Sequence, residues 1–165
     1  MIDFNKDVMP LKNKLYRLAL RLLHDHEEAQ DITQETLIRL WQRRDSLPHA
    51  IDAEKLGLTI CHNLSLDALQ RAGRDNETID TNNEDLVPDN AQTPLEQLST
   101  ADQHQQLLTI INKLPAKQRA ILQLREMEGK SYKEIAEILE LTEEQVKVNL
   151  FRTRQSLKQL YKNNS

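Results

Sequence analysis

The sequence predicts an all-α protein: two small helical domains, residues 1–74 and 94–165, joined by a flexible acidic linker at 75–93. Three observations carry that expectation. The 165 residues include only 3 glycines and 4% aromatics, while Leu, Gln, Glu, Lys and Arg, which lose little rotamer freedom in a helix, abound. Apolar residues recur at helical spacing through both flanks. Between them, residues 74–94 carry Asn76, Asn82, Asn83, Pro88, Asn90 and Pro94 with almost no hydrophobic periodicity, a composition that reads as a linker. Each flank is about 70 residues, near the lower limit for a self-sufficient core.

The first domain reads as three helices. Leu11, Leu15, Leu18 and Leu22 follow Pro10 at helical spacing, and the run stops near His24-Asp25-His26. Asp25, Glu27 and Glu28 then put negative charge in the first turn of a second helix, where the helix dipole favours it. Its apolar stripe is Ala29, Ile32, Leu37, Leu40 and Trp41, and Pro48 closes the region. A third helix, about Asp52 to Ala72, carries Leu56, Ile60, Leu64 and Ala68 on one face. Gly57 inside it costs about 1 kcal/mol relative to Ala, which predicts a loose first turn.

The second domain is better punctuated. Thr93-Pro94-Leu95-Glu96 combines a capping Thr, a first-turn Pro and a capping-box Glu. The helix that follows runs through Leu107, Leu108, Ile111 and Leu114 to Pro115. Ile121, Leu122, Leu124 and Met127 mark the next, stopped by Gly129. Ser131 with Glu134, and Thr142 with Gln145, form two more capping boxes. The first opens a short helix with Ile135, Ala136 and Leu139; the second opens a longer one with Val146, Leu150, Leu157 and Leu160.

The formal net charge of −4 is unevenly spread. Residues 1–74 hold 11 bases and 11 acids, residues 75–100 hold seven acids and no base, and residues 101–165 hold 11 bases and 8 acids. After Glu144 come Lys147, Arg152, Arg154, Lys158 and Lys162 without a further acid. The acidic total therefore does not exclude a nucleic-acid partner, because the negative excess lies mostly in the linker.

Other classes fare worse. A single cysteine, Cys61, excludes an internal disulfide or a multi-cysteine zinc site and fits a reducing, cytoplasmic setting. Beside apolar neighbours on a helix it reads as a small buried hydrophobe. No apolar run approaches the roughly 18 residues of a membrane span, so no stable membrane insertion is expected. There is no glycine-rich phosphate loop, H-E-x-x-H or nucleophile elbow, and neither catalysis nor a cofactor or metal is expected.

Residues 131–154 have the proportions of a helix-turn-helix: a short helix, the three-residue connection Glu140-Leu141-Thr142, and a longer helix ending in bases. Ala136 supplies the small residue where two helices cross, and Ile135, Leu139, Leu141 and Val146 grip the crossing. Glu143, Glu144, Gln145 and Lys147 occupy the polar first turn that reaches base edges in a major groove, with Asn149 a little farther along. Arg152, Arg154 and Lys158 suit phosphate contacts. The bare pattern also fits an ordinary helical hairpin with a solvated basic face. The turn position that often carries Gly is Glu140 here.

The segments Leu114-Pro115-Ala116-Lys117-Gln118-Arg119 and Leu124 through Ala136 resemble region 4 of the extracytoplasmic-function (ECF) RNA polymerase sigma factors, and Val146 through Arg154 is similar to the end of its recognition helix. Glu28 through Trp41 resembles that family's region 2 polymerase-binding helix, and Ile60 through Arg71 its promoter-reading helix. The resemblance covers about three quarters of the chain in family order. It implies a dissociable initiation subunit whose partners are core RNA polymerase, promoter DNA and an anti-sigma factor. On this likeness core polymerase meets Asp31, Gln34, Glu35, Arg39 and Trp41, core packing being the other reading of Trp41. The minus-ten element meets Asn63, Asp67, Arg71 and Arg74, and the minus-thirty-five element meets the recognition helix. The family usually has an Arg where His62 stands and a denser basic run where Gln70, Ala72 and Gly73 stand. The remaining reading is a helix-turn-helix transcriptional regulator that is not a polymerase subunit, although such proteins need a ligand or receiver domain ahead of the motif.

Overall fold

A computed structural model describes the backbone of residues 2–73 and 101–164 and the side chains of residues 2–73 and 105–162. The expected linker at 75–93, the capping box of Thr93 and Glu96, and Arg74 lie outside the described residues. Among the described residues every regular element is helical. They fall into two compact units.

The N-terminal unit opens with a π-helical turn, Phe4–Val8, and a 3-10 turn, Met9–Leu11. Three helices follow: α1 (Lys12–Leu23), α2 (His26–Gln42) and α3 (Ala50–Arg71), with a 3-10 turn at Arg44–Ser46. α1 ends where His24 enters the left-handed region at φ 56°. The carboxylate of Asp25 caps α2 by accepting from the Glu28 amide at 3.0 Å.

α1 buries Leu15, Leu18, Ala19, Leu22 and Leu23. α2 buries Ala29, Leu37 and Leu40 together with Thr33 and Thr36. Both threonine hydroxyls donate one turn back, to Ala29 O at 2.7 Å and Ile32 O at 2.8 Å, so neither leaves a buried polar group unsatisfied. Ile32 is only half-buried, and Trp41 lies outside the core.

The seam of α3 corrects the stripe read from the sequence. Its buried residues include Ala53, Gly57, Cys61, Ser65 and Leu69 at four-residue intervals. Leu56, Ile60, Leu64 and Ala68, one position round the helix, are half-buried. Small residues at the seam let helix backbones approach closely. A Cβ on Gly57 would stand 3.2 Å from Leu40 Cδ1 and 3.4 Å from Leu15 Cδ2. Gly57 therefore serves contact with α1 and α2; it lies in a packed stretch of helix rather than the loose turn its propensity predicts. The Cys61 thiol donates to Leu15 O at 3.2 Å, and burial pushes its pKa up to about 12, so it is a packed and unreactive group.

The C-terminal unit contains α4 (Ala101–Ile111), α5 (Ala116–Leu122) continued by a π-helical turn at Gln123–Met127, α6 (Tyr132–Leu139) and α7 (Glu143–Asn164). Leu107, Ile110, Ile111, Leu114, Leu122 and Leu157 form one buried cluster, with Leu160 and Tyr161 against it. The buried Arg119 guanidinium donates to the carbonyl of Leu114.

Both capping boxes are formed in this unit. Ser131 Oγ accepts from Glu134 N at 3.1 Å while Glu134 Oε1 accepts from Ser131 N at 3.0 Å. Thr142 Oγ1 accepts from Gln145 N at 3.1 Å while Gln145 Oε1 accepts from Thr142 N at 2.9 Å. Glu140 takes the left-handed conformation, φ 59°, and Leu141 N donates back to Ala136 O at 2.9 Å. A non-glycine residue thus makes the turn that Gly usually makes, at a cost of about 1 kcal/mol.

Candidate nucleic-acid interface

On α7, Glu143, Glu144 and Lys158 are exposed, and Lys147 and Arg152 are half-buried. Each of the five is at least partly accessible to solvent. Three other expected contacts are otherwise engaged. Gln145 is half-buried and its side-chain oxygen is committed to the Thr142 cap. Asn149 is only 1% exposed, and its Nδ2 donates to Gln145 O at 2.7 Å. It belongs to the inner face of α7, so the expectation that it reads a base edge gives way. A four-residue offset from Gln145 placed it inward, and its polarity concealed that.

Arg154 departs from expectation in the same manner. Its Nη2 lies 2.8 Å from Glu126 Oε1, with side-chain exposures of 11% and 14%. A guanidinium held by a carboxylate at that depth is not a free phosphate clamp.

Sequence reading missed Arg125 and Tyr132. The Arg125 guanidinium sits 4.5 Å from the centroid of the Tyr132 ring, and Lys147 Nζ sits 5.8 Å from it. Arg125 Nη1 also donates to Lys130 O at 2.9 Å. Neither cation has a carboxylate partner among the described residues, so this aromatic platform holds positive charge available to an anion. The available signal was an aromatic immediately after the capping Ser131.

In the N-terminal unit, Asn63, Asp67 and Arg71 stand exposed at four-residue intervals along α3, hence on one face. His62 beside them is buried. On α2, Asp31, Gln34 and Arg39 are exposed and Glu35 is half-buried, with Glu35 Oε1 accepting from Arg39 Nε at 3.1 Å. Amid these polar residues Ile38 is 50% exposed, an apolar side chain on the polar face that sequence reading passed over. Trp41 is 46% exposed. The Phe4 ring meets it edge-on at 5.0 Å and the Arg44 guanidinium lies 3.9 Å over it. Among the described residues no cluster of His, Cys, Asp and Glu could hold a metal ion, and no helix is long and apolar enough to cross a membrane.

Residues 8–75 match the family Sigma-70 region 2, and residues 104–157 match Sigma-70, region 4. The chain is 31% identical over 141 residues to the ECF RNA polymerase sigma factor SigL of Mycobacterium tuberculosis, spanning 82% of this chain and 76% of that one. It is 29% identical over 160 residues to SigW of Bacillus subtilis, spanning 89% and 82%. With SigE of Mycolicibacterium smegmatis it is 31% identical over 147 residues, which is 88% of this chain but 56% of that protein's length. The sigma factor RpoE of Bartonella quintana, solved with the anti-sigma factor NepR, shares the fold at a TM-score of 0.72 and 24% identity, covering 99% of each chain. Two sigma-70 regions in order on one chain, and relatives of this kind across most of its length, establish that it belongs to the ECF sigma factors of the sigma-70 family.

Proposed function

We infer that this chain is a sigma factor that binds core RNA polymerase and directs it to a dedicated set of promoters. The observation that carries the reading is the pairing of a region 2 match at 8–75 with a region 4 match at 104–157. Each unit brings a surface suited to its share of the work. The polymerase-binding face is α2, with Asp31, Gln34, Glu35, Ile38, Arg39 and Trp41. Its exposed Ile38 and Trp41 supply apolar contact, and the flanking charges fix orientation.

The minus-ten element is read by the exposed face of α3, Asn63, Asp67 and Arg71, with Arg74 just beyond. Opening the duplex there requires capturing an unstacked base, at a cost of a few kcal/mol. The minus-thirty-five element lies along the first turns of α7, where Glu143, Glu144 and Lys147 meet base edges. Arg125, Arg152 and Lys158 neutralise phosphates, which set register and affinity. The chain performs no chemistry of its own; phosphodiester synthesis belongs to the polymerase. It acts in the cytoplasm, and an anti-sigma factor that covers one or both units is the natural means of holding it inactive.

Co-purification with core polymerase tests this. Stable association in the absence of DNA is expected. A chain that binds duplex DNA but never core polymerase would instead be a helix-turn-helix regulator.

A further inference from the structure

Two consecutive residues of the π-helical turn reach the two helices of the helix-turn-helix. Arg125 bonds the Lys130 carbonyl and stacks on Tyr132, the first residue of α6. Glu126 bonds Arg154 on α7 at 2.8 Å. π-helical turns recur at functional sites, and here one grips α6 with a cation and α7 with an anion.

The Glu126–Arg154 pair is nearly buried, so solvent and salt screen it little. Burying two charges costs desolvation that their attraction repays only in part, which makes such a pair weak evidence for stability and better evidence for registry. Glu126 is also an acid in a unit that meets polyanionic DNA. On charge alone, removing it favours DNA binding.

We propose that Glu126 and Arg154 are positioning residues for upstream-element recognition: the pair fixes the rotation of α7, and so the placement of Glu143, Glu144 and Lys147 on the duplex, without touching DNA. This rests on the promoter-reading function inferred above. It assigns Arg154 a role different from that of Arg152 and Lys158, although all three are bases on the same helix. It also gives an acidic residue a positive part in DNA recognition.

The test uses the full chain bound to core polymerase and a duplex library randomised over the upstream element, sequenced before and after selection. A salt series on random-sequence duplex accompanies it. Glu126→Gln and Arg154→Gln are each expected to lower enrichment of the preferred element about tenfold, the scale of one misplaced base contact. The double variant falls no further than either single one, because both remove the same interaction. The salt slope of Arg154→Gln stays that of the unmodified chain.

The proposal is overturned if Arg154→Gln lowers the slope by about 0.9, the signature of one lost phosphate contact, or if Glu126→Gln leaves enrichment intact. Thermal unfolding shows whether each variant folds. If the Gln variants do not, Glu126→Asp replaces them: lower enrichment at an unchanged slope supports the pair, and unchanged enrichment overturns it. Absence of enrichment with the unmodified chain would remove the promoter-reading function itself, a different failure from loss of the pair.

Discussion

α3 and α7 are both 22 residues long, yet they meet their units in different ways. α3 buries a run of small residues, Ala53, Gly57, Cys61 and Ser65, that brings backbones close, with Leu58, His62 and Leu69 beside it. α7 presents larger apolar ones, Val146, Leu150 and Leu157, and admits polar groups among them: Asn149, Thr153 and the guanidinium of Arg154. A helix packed through small side chains has no room to spare, whereas one packed through large side chains must be filled. Four expectations separate these cases.

Leu157→Ala should empty part of the cluster formed with Leu107, Ile110 and Leu122 and destabilise the C-terminal unit by about 3 kcal/mol, read by urea unfolding followed by far-ultraviolet circular dichroism. Gly57→Val acts by crowding. With Leu40 3.2 Å from the first added carbon, it should cost the N-terminal unit about 2 kcal/mol. The sole tryptophan, Trp41, reports that unit by fluorescence. A Val at 57 that is tolerated without loss would break the distinction between the two helices.

Cys61 sharpens the α3 side through pH. Its pKa is raised by burial from 9.0 to about 12 in the folded chain, so the unfolded chain releases the thiol proton first. The stability it contributes is complete below pH 9 and is lost as pH rises towards 12. Cys61→Ala should remove that part of the alkaline slope, measured by unfolding across the same range. Finally, Thr142→Ala should cost α7 about 1 kcal/mol by removing the acceptor for the Gln145 amide. The backbone amide of residue 142 still donates to Gln145 Oε1 in that variant, so the Gln145 side chain stays engaged and its DNA preference is expected to hold.

Most helices and both described capping boxes were legible in the sequence, because caps, Pro and leucine periodicity are local signals. Ser131 with Glu134 and Thr142 with Gln145 form the bonds their spacing implies. The seam of α3 was harder to read. Leu56, Ile60 and Leu64 look more like a core than Ala53, Gly57 and Cys61, and periodicity weighs hydrophobicity rather than closeness of approach. The helix-turn-helix was visible as a motif, including the non-glycine turn at Glu140.

The roles of individual polar residues within that motif were less visible, because they depend on partners that local spacing does not indicate. Arg154 finds Glu126 28 residues away, and Arg125 finds the ring of Tyr132. The first pairing has no sequence signature, and the second shows only as an aromatic after the capping Ser131. Asn149 illustrates the other limit: a polar side chain one turn beyond Gln145 turned inward and bonded its own helix.

The central claim is that the N-terminal unit engages polymerase and the minus-ten element while the C-terminal unit reads the minus-thirty-five element. Run-off transcription with core polymerase, the full chain and a genomic DNA library tests it most directly. The expected result is a set of discrete transcripts, absent without the chain, whose start points lie at a constant distance from a shared pair of upstream elements. Transcripts no more specific than those of core polymerase alone would contradict the account.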